Sequence, residues 1–235
     1  MNKRNAPKKL LNQYRGRLSA GEISDGINAA LTNGRRLLKD AKLMLENERF
    51  PTALALAVLA IEERGKSQIL KNLALRTDPT GLSEAWKNYR NHRAKNASWI
   101  LLDLVRAGAR DLSQFADVVD YNGPHTVVLD ALKQTAFYTD CLGNRHWSVP
   151  DTVIDKDLAT SIVAVAEALM STRAVTEREI ELWVEHVRPH WAKGSMIQAI
   201  LNWQRAMCAE GLSDTSPDAL EAFIRGHSSK APPNQ

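Results

Sequence analysis

Two groups of polar residues in this sequence could do chemistry. The first is Glu62-Glu63, followed after one residue by Gly65-Lys66. Lys66 stands four residues after Glu62 and three after Glu63, so on a helix both carboxylates can reach its ammonium. The stretch before them, Ala53 to Ala60, is apolar on every side, which predicts a buried helix. Charges carried into such a helix need partners, because stripping water from a lone ion is costly. Gly65 inside a helix costs about 0.5–1 kcal/mol relative to alanine. A close approach by another backbone or by a ligand would explain it. The ordinary alternative is a solvent-facing Glu–Lys pair.

The second group is Trp86, Tyr89, Arg90, Asn91, His92, Arg93, Lys95, Asn96 and Trp99. Spaced i, i+3, i+4 and i+7, His92, Lys95, Asn96 and Trp99 share one face of a helix. That face joins an imidazole, a cation, an amide and an aromatic plate. It could bind and cleave a phosphodiester, with Trp99 stacking on a base and Arg90 and Arg93 adding charge for an RNA backbone. A histidine that is merely hydrogen-bonded stays open as the alternative. Glu62, Glu63, His92 and Asp140 could also be combined as metal ligands. However, the Glu-x-x-His repeat of di-iron bundles is missing, and Lys66 and Lys95 would repel a cation. No metal and no cofactor is expected.

The elements that must position these residues read as helices. Ser19-Ala20-Gly21-Glu22 has capping-box spacing, and Ile23, Ile27, Ala30, Leu31, Gly34, Leu38, Ala41 and Leu45 then mark one helical face. Pro51 starts a second helix, which runs to about Leu75. Asp78-Pro79-Thr80-Gly81 reads as a turn, and Ser83 as the cap of a third helix reaching about Ala107. Asn122-Gly123-Pro124 is a breaker before a fourth helix over residues 126–139. A non-helical segment over 140–150 can turn a small hairpin at Gly143-Asn144. One long helix is predicted over 156–187, ended by Pro189, with shorter ones over 195–209 and 217–226. The fold class is all-α, a helical bundle with additional C-terminal helices and one short hairpin-like segment. The sequence predicts a basic, flexible arm over residues 1–18, a core over 19–150, helices packed on it over 151–228, and a disordered tail over 229–235.

Composition narrows the function classes. The chain has 235 residues, 44% hydrophobic and 25% charged, which is ordinary globular usage. Cys141 and Cys208 have no metal-ligand spacing and predict neither a zinc site nor a disulfide scaffold. The longest apolar run, Ala53 to Ile61, falls far short of the ~20 residues of a membrane span. No membrane association is expected, and the cytoplasm is the expected compartment. The formal charge is +4, and Lys3, Arg4, Lys8, Lys9, Arg15 and Arg17 contribute six cations, leaving a net −2 over residues 21–235. Such an arm could track phosphates.

The order of motifs carries a resemblance. It runs Leu37-Leu38-x-Asp40-Ala41, then Ala53-x-Ala55-Leu56-Ala57 into Ile61-Glu62-Glu63-x-Gly65-Lys66. His92-x-x-Lys95 follows, then Lys133, Tyr138-x-Asp140 and Trp147-x-x-Pro150. Over residues 27–155 this resembles the AbiV family of abortive-infection proteins, which in turn is similar to the wider HEPN group of helical proteins. The resemblance implies restriction of phage growth and a HEPN-like bundle. Many HEPN proteins are metal-independent ribonucleases, so it also implies an RNA-cleaving site. In that site His92 would move a proton, Lys95 and Lys66 would stabilise the phosphorane, and Glu62 and Glu63 would orient them, supported by Asn96, Tyr138 and Asp140. The second implication is a non-enzymatic effector that binds a phage or host protein. Two departures stand out. Arg64 occupies a position where an aliphatic residue is expected. The HEPN signature, Arg then four to six residues then His, is absent: positions 95–97 after Arg90 are Lys, Asn and Ala. A homodimer is expected from the HEPN likeness, from Trp183, Trp191 and Trp203, and from an acidic helix (Glu177, Glu179, Glu181, Glu185) that could complement the basic Lys87–Lys95 segment.

Overall fold

Ser19 opens the first helix as its spacing predicts. Its hydroxyl accepts from Glu22 N at 3.1 Å, and Glu22 returns the bond to Ser19 N at 2.7 Å. In this computed structural model, residues 13–101, 104, 114, 117, 118, 120–143, 145–191, 193 and 195–224 are described. Lys3, Arg4, Lys8 and Lys9 of the arm lie outside the described residues, as do Asn144, residues 105–107 of the third predicted helix and the tail from Lys230 to Gln235.

Helix α1 spans Ala20–Glu46 and buries Ile23, Ile27, Ala30, Leu31, Gly34, Leu38 and Ala41. A short link carries the chain into α2, Phe50–Ala74, with Pro51 in its first turn. Ala53, Leu54, Ala55, Ala57, Val58, Ala60 and Ile61 are all fully buried, so α2 is wrapped on every side, as its sequence requires. Helices α3 (Pro79–Arg90), α4 (His92–Lys95), α5 (Pro124–Phe137) and α7 (Lys156–Leu169) pack around it, together with α1. A two-stranded antiparallel ladder, β1 (Asp140–Cys141) with β2 (Trp147–Ser148), pairs Asp140 with Ser148 and Cys141 with Trp147. The one-turn α6 (Pro150–Val153) follows it, and α8 (Glu177–Val187), α9 (Met196–Ala209) and α10 (Pro217–Ile224) complete the described elements. Among those residues the fold is helical apart from this small ladder.

Two expected helices are broken. The predicted third helix begins earlier, at Pro79, because Asp78 and not Ser83 caps it, accepting from Gly81 N at 2.7 Å. It stops at Arg90, where Asn91 turns extended (φ −84°, ψ 123°) and caps α4 by accepting from Arg93 N. Asparagine competes for backbone amides and so favours such a break. A 3₁₀ turn over Ala97–Ile100 follows, so His92 to Trp99 is not one continuous helical face. The predicted 156–187 helix is also two. Thr176 and Glu179 form a second capping box that restarts the chain as α8.

Three buried clusters result. The largest joins α1, α2, α5 and α7 around Leu54, Val58, Ile61, Leu129 and Ile162. The second holds Ile23, Ile27, Leu70, Trp86 and Ile180. The third centres on Leu75, Trp183 and Val187, with Trp191 and Trp203 against it. Trp183 and Trp203 meet edge to face with centroids 5.1 Å apart, and Trp183 Nε1 donates to Lys71 O at 3.1 Å. These tryptophans therefore fill the monomer's own core and are not evidence for an interface. The acidic helix is likewise engaged within the chain: Glu179 pairs with Arg173 at 2.6 Å, and Glu181 pairs with Arg178 at 3.0 Å.

Candidate functional site

Glu62 sits midway along α2, 3% exposed. Its partners come from other elements. Lys133 of α5 donates to Oε1 at 2.6 Å. His92, at the start of α4, meets Oε2 through Nδ1 at 2.6 Å. Lys95, at the end of α4, lies 3.4 Å from the same oxygen. Asp130, one turn before Lys133, adds a second carboxylate oxygen 2.9 Å from the Lys133 ammonium. Two lysines thus balance two acids, which is what burial demands.

Gly65 makes room for α4. A Cβ built there would lie 1.9 Å from the Lys95 carbonyl oxygen. The glycine in mid-helix is therefore explained by another backbone, one of the two reasons its position implied. Because α4 is a single turn, this contact fixes His92 and Lys95 together.

The two lysines differ electrostatically. Burial lowers the Lys95 pKa below the usual lysine value; Glu62 opposes this and the Lys66 charge adds to it. Burial also works against charged Lys133, but its hydrogen bonds to Glu62 and Asp130 outweigh that and hold it above the usual value. Lys133 is therefore the firm counter-ion of Glu62.

His92 is the member that faces out, its side chain 56% exposed against 4% for Glu62. A carboxylate at Nδ1 fixes the proton there and leaves Nε2 as a bare acceptor in the neutral ring. Lys133 Nζ also approaches Nδ1 to 3.4 Å, but as a second donor to the same carboxylate. The arrangement presents a base held in one tautomer at the surface, with a buried anion behind it.

The structure divides what the spacing joined. Lys66 bonds both oxygens of Glu63, at 2.7 and 2.9 Å, and lies 5.5 Å from the Tyr89 ring centre. Adjacent residues on a helix diverge by about 100°, so Glu62 and Glu63 serve different pockets and Lys66 does not reach Glu62. Lys95 is buried with its ammonium turned to Glu62, and Asn96 is fully buried with neither amide atom bonded. Trp99 is half-buried, and its indole donates to His125 O at 2.9 Å, which takes it off any free stacking face. Arg90 is tied to Trp86 O at 3.1 Å and to Tyr14 O, while Arg93 is exposed. Tyr138 and Asp140 line a separate cleft of about 260 Å³ with Gln134 and Leu142, and Asp140 accepts from Cys141 N. Among the described residues no three His, Cys, Asp or Glu side chains gather as a metal site.

Asp130 is a site residue that sequence reasoning missed, and Lys133, although quoted in the motif order, was given no role there. Their i, i+3 spacing on α5 is a weak signal, and nothing local ties them to Glu62, which lies 71 residues earlier.

The chain was compared with known families over the stretch that holds these residues. Residues 22–171 match the HEPN-type model described as AbiV. No curated protein and no solved structure matches the chain.

Proposed function

The chain belongs to the AbiV family of abortive-infection proteins, and we propose that it is an anti-phage effector acting as a metal-independent ribonuclease. The single observation behind this reading is the Glu62–His92 pair, a buried carboxylate 2.6 Å from Nδ1 of a half-exposed imidazole. In this reading His92 Nε2 takes the proton of a ribose 2′-hydroxyl. The 2′-oxygen then bonds to phosphorus, the bond to the 5′-oxygen breaks, and a 2′,3′-cyclic phosphate and a 5′-hydroxyl remain. Glu62 holds the tautomer and stabilises the imidazolium. Arg93 is the exposed cation beside His92 for the phosphate, while Lys95 and Lys133 hold the Glu62 carboxylate from behind. The test is RNA cleavage in chelator by pure protein and by His92→Ala. Cleavage lost in the variant supports the reading; equal cleavage in both, or none in either, ends it.

One imidazole supplies one proton site, and the leaving 5′-oxygen needs a proton too. A homodimer would bring a second His92 to supply it. Phe137, Tyr138, Leu142 and Trp147 are 44%, 62%, 52% and 63% exposed around the β1–β2 ladder, an aromatic surface of the kind that pairs.

A second reading has its own support. Lys95 and Lys133 side chains are only 9% and 6% exposed, as in a structural network, and the Arg–His signature is absent. The chain would then arrest growth by binding a phage or host protein. Glu62→Gln separates the two. A structural network loses thermal stability with growth arrest scaling to folded protein, whereas a catalytic site loses arrest even where the protein remains folded.

A further inference from the structure

The side of α2 turned away from Glu62 carries a second polar stripe. Arg64, Ser67, Gln68 and Lys71 follow the i, i+3, i+4, i+7 rule and share one face. At about 100° per residue this face lies roughly opposite Glu62 and Lys66. The link between α7 and α8 closes over it with Ser171, Arg173 and Val175. With Ile27 and Leu31 of α1, these residues enclose a cavity of about 150 Å³.

Three cations border this small space, and only one is neutralised. Arg173 is held by Glu179 through two bonds, 2.6 and 2.7 Å. Glu179 also receives Thr176 N at 3.1 Å, so its oxygens are committed. Arg64 gives its Nε to Leu169 O at 3.0 Å, which leaves its charge uncompensated. Lys71 lies 5.5 and 5.9 Å from the ring centres of Trp203 and Trp183. Among the described residues no carboxylate pairs with either Arg64 or Lys71. Burial depresses the pKa of both, and for Lys71 the Arg64 and Arg173 charges add to the effect while Glu179 opposes it. The cavity thus has two positive charges in excess.

Ser67 supplies an independent observation. It is 6% exposed, lines the cavity, and its hydroxyl has no hydrogen-bond partner. Buried hydroxyls are nearly always satisfied, so an acceptor is missing there. Two unpaired cations and an unpaired donor facing one cavity specify an oxyanion.

We propose that this cavity binds a phosphate dianion, with Arg64 and Lys71 providing the charge and Ser67 the hydroxyl donor. Size agrees with that class. An apolar cavity of about the same volume holds one benzene, so a phosphate group fits inside, while any nucleoside attached to it must lie outside. The ligand is either free inorganic phosphate or the terminal phosphate of a mononucleotide.

The test is calorimetry of the full chain against inorganic phosphate, a nucleoside 5′-monophosphate and the uncharged nucleoside, at ionic strength matched with chloride. One saturable site for phosphate is expected, accompanied by a change in tryptophan fluorescence because Lys71 borders Trp183 and Trp203. Arg64→Leu and Lys71→Met should each weaken binding about tenfold or more, as loss of a charge-assisted bond does. Ser67→Ala, which removes one atom and leaves the packing alone, should weaken it several-fold. It decides the matter if the cation variants misfold. Tighter binding of the monophosphate assigns the site to nucleotides, and equal binding assigns it to free phosphate. No saturable heat from either phosphate overturns the proposal. So does nucleoside binding as well as the monophosphate, or an affinity unchanged by Ser67→Ala.

Discussion

Glu62 is the residue on which the candidate site turns, because it is the one anion shared by three side chains from two other elements. Removing its charge leaves two buried ammonium groups facing a neutral amide. Glu62→Gln should therefore cost roughly 3–5 kcal/mol of stability, the usual penalty for breaking a buried ion pair from one side, measured by urea unfolding. Its two lysines should not respond alike. Lys133 is 2.6 Å from the carboxylate and is held above the usual lysine pKa. Lys95 is 3.4 Å away and is held below it. Lys133→Met should destabilise clearly more than Lys95→Met; equal losses would show that the two cations share the carboxylate evenly. Had this been a surface pair, as Glu63–Lys66 more nearly is, either change would fall within about 1 kcal/mol.

Among the elements, α4 is seated on α2 by the Gly65 contact as well as by its bonds to Glu62. Gly65→Ala puts a methyl where the Lys95 carbonyl now lies, and overpacking of this kind costs about 1–3 kcal/mol. It should also detach His92 from Glu62, seen as a changed His92 ring signal by NMR in protein that remains folded. The α7–α8 link offers a test in acid. The folded pKa of Glu179 is below the ordinary 4.5: burial pushes it up, but the Arg173 bonds and the Thr176 backbone pull it down further. A depressed carboxylate stabilises the fold above its unfolded pKa and loses that contribution as pH falls through the folded value. Wild type should lose melting temperature below about pH 4.5, and Glu179→Gln less steeply. At pH 7 the variant should be weaker by about 1 kcal/mol, because Arg173 is half in solvent. Elements set by neighbours in sequence were legible in advance: the α1 cap and face, the Pro51 start of α2, and the α5 helix behind its breaker. The long helix over 156–187 was misread because apolar spacing carries on through Met170 and Val175, although Thr176-x-x-Glu179 is itself a start signal. Asn91 hid a helix break in the same way. Gly65 was legible as a point of close approach, and Glu62 as a charge needing partners. Lys133 stood in the motif order, but its pairing with Glu62 was not legible, since only tertiary packing brings α5 to α2.

For the whole molecule, the first question is how many copies act together. Among the described residues no helix is long and apolar enough to cross a membrane, and the tryptophans of the C-terminal third are used up internally. The exposed apolar residues around the ladder are the surface proposed to pair. Sedimentation at micromolar concentration should give a species of twice the 26.1 kDa chain mass, reduced to monomer by Trp147→Glu. A monomer unchanged on raising concentration would rule out a second His92 across an interface. The path of the chain through the fold also sets a schedule. Helices α1 and α2 are consecutive and pack along their lengths, so they can associate as soon as both are made, while the face of α2 that carries Glu62 still awaits α4 and α5. Lys133 comes 71 residues later, which at a synthesis rate of about 5–20 residues per second is roughly 4–14 s. Until then Glu62 lacks its firm counter-ion and α5 is not there to cover it. On the ribosome, therefore, Glu62, His92 and Lys95 are all made well before Lys133, and a product released before residue 133 lacks the cation that bonds Glu62 at 2.6 Å.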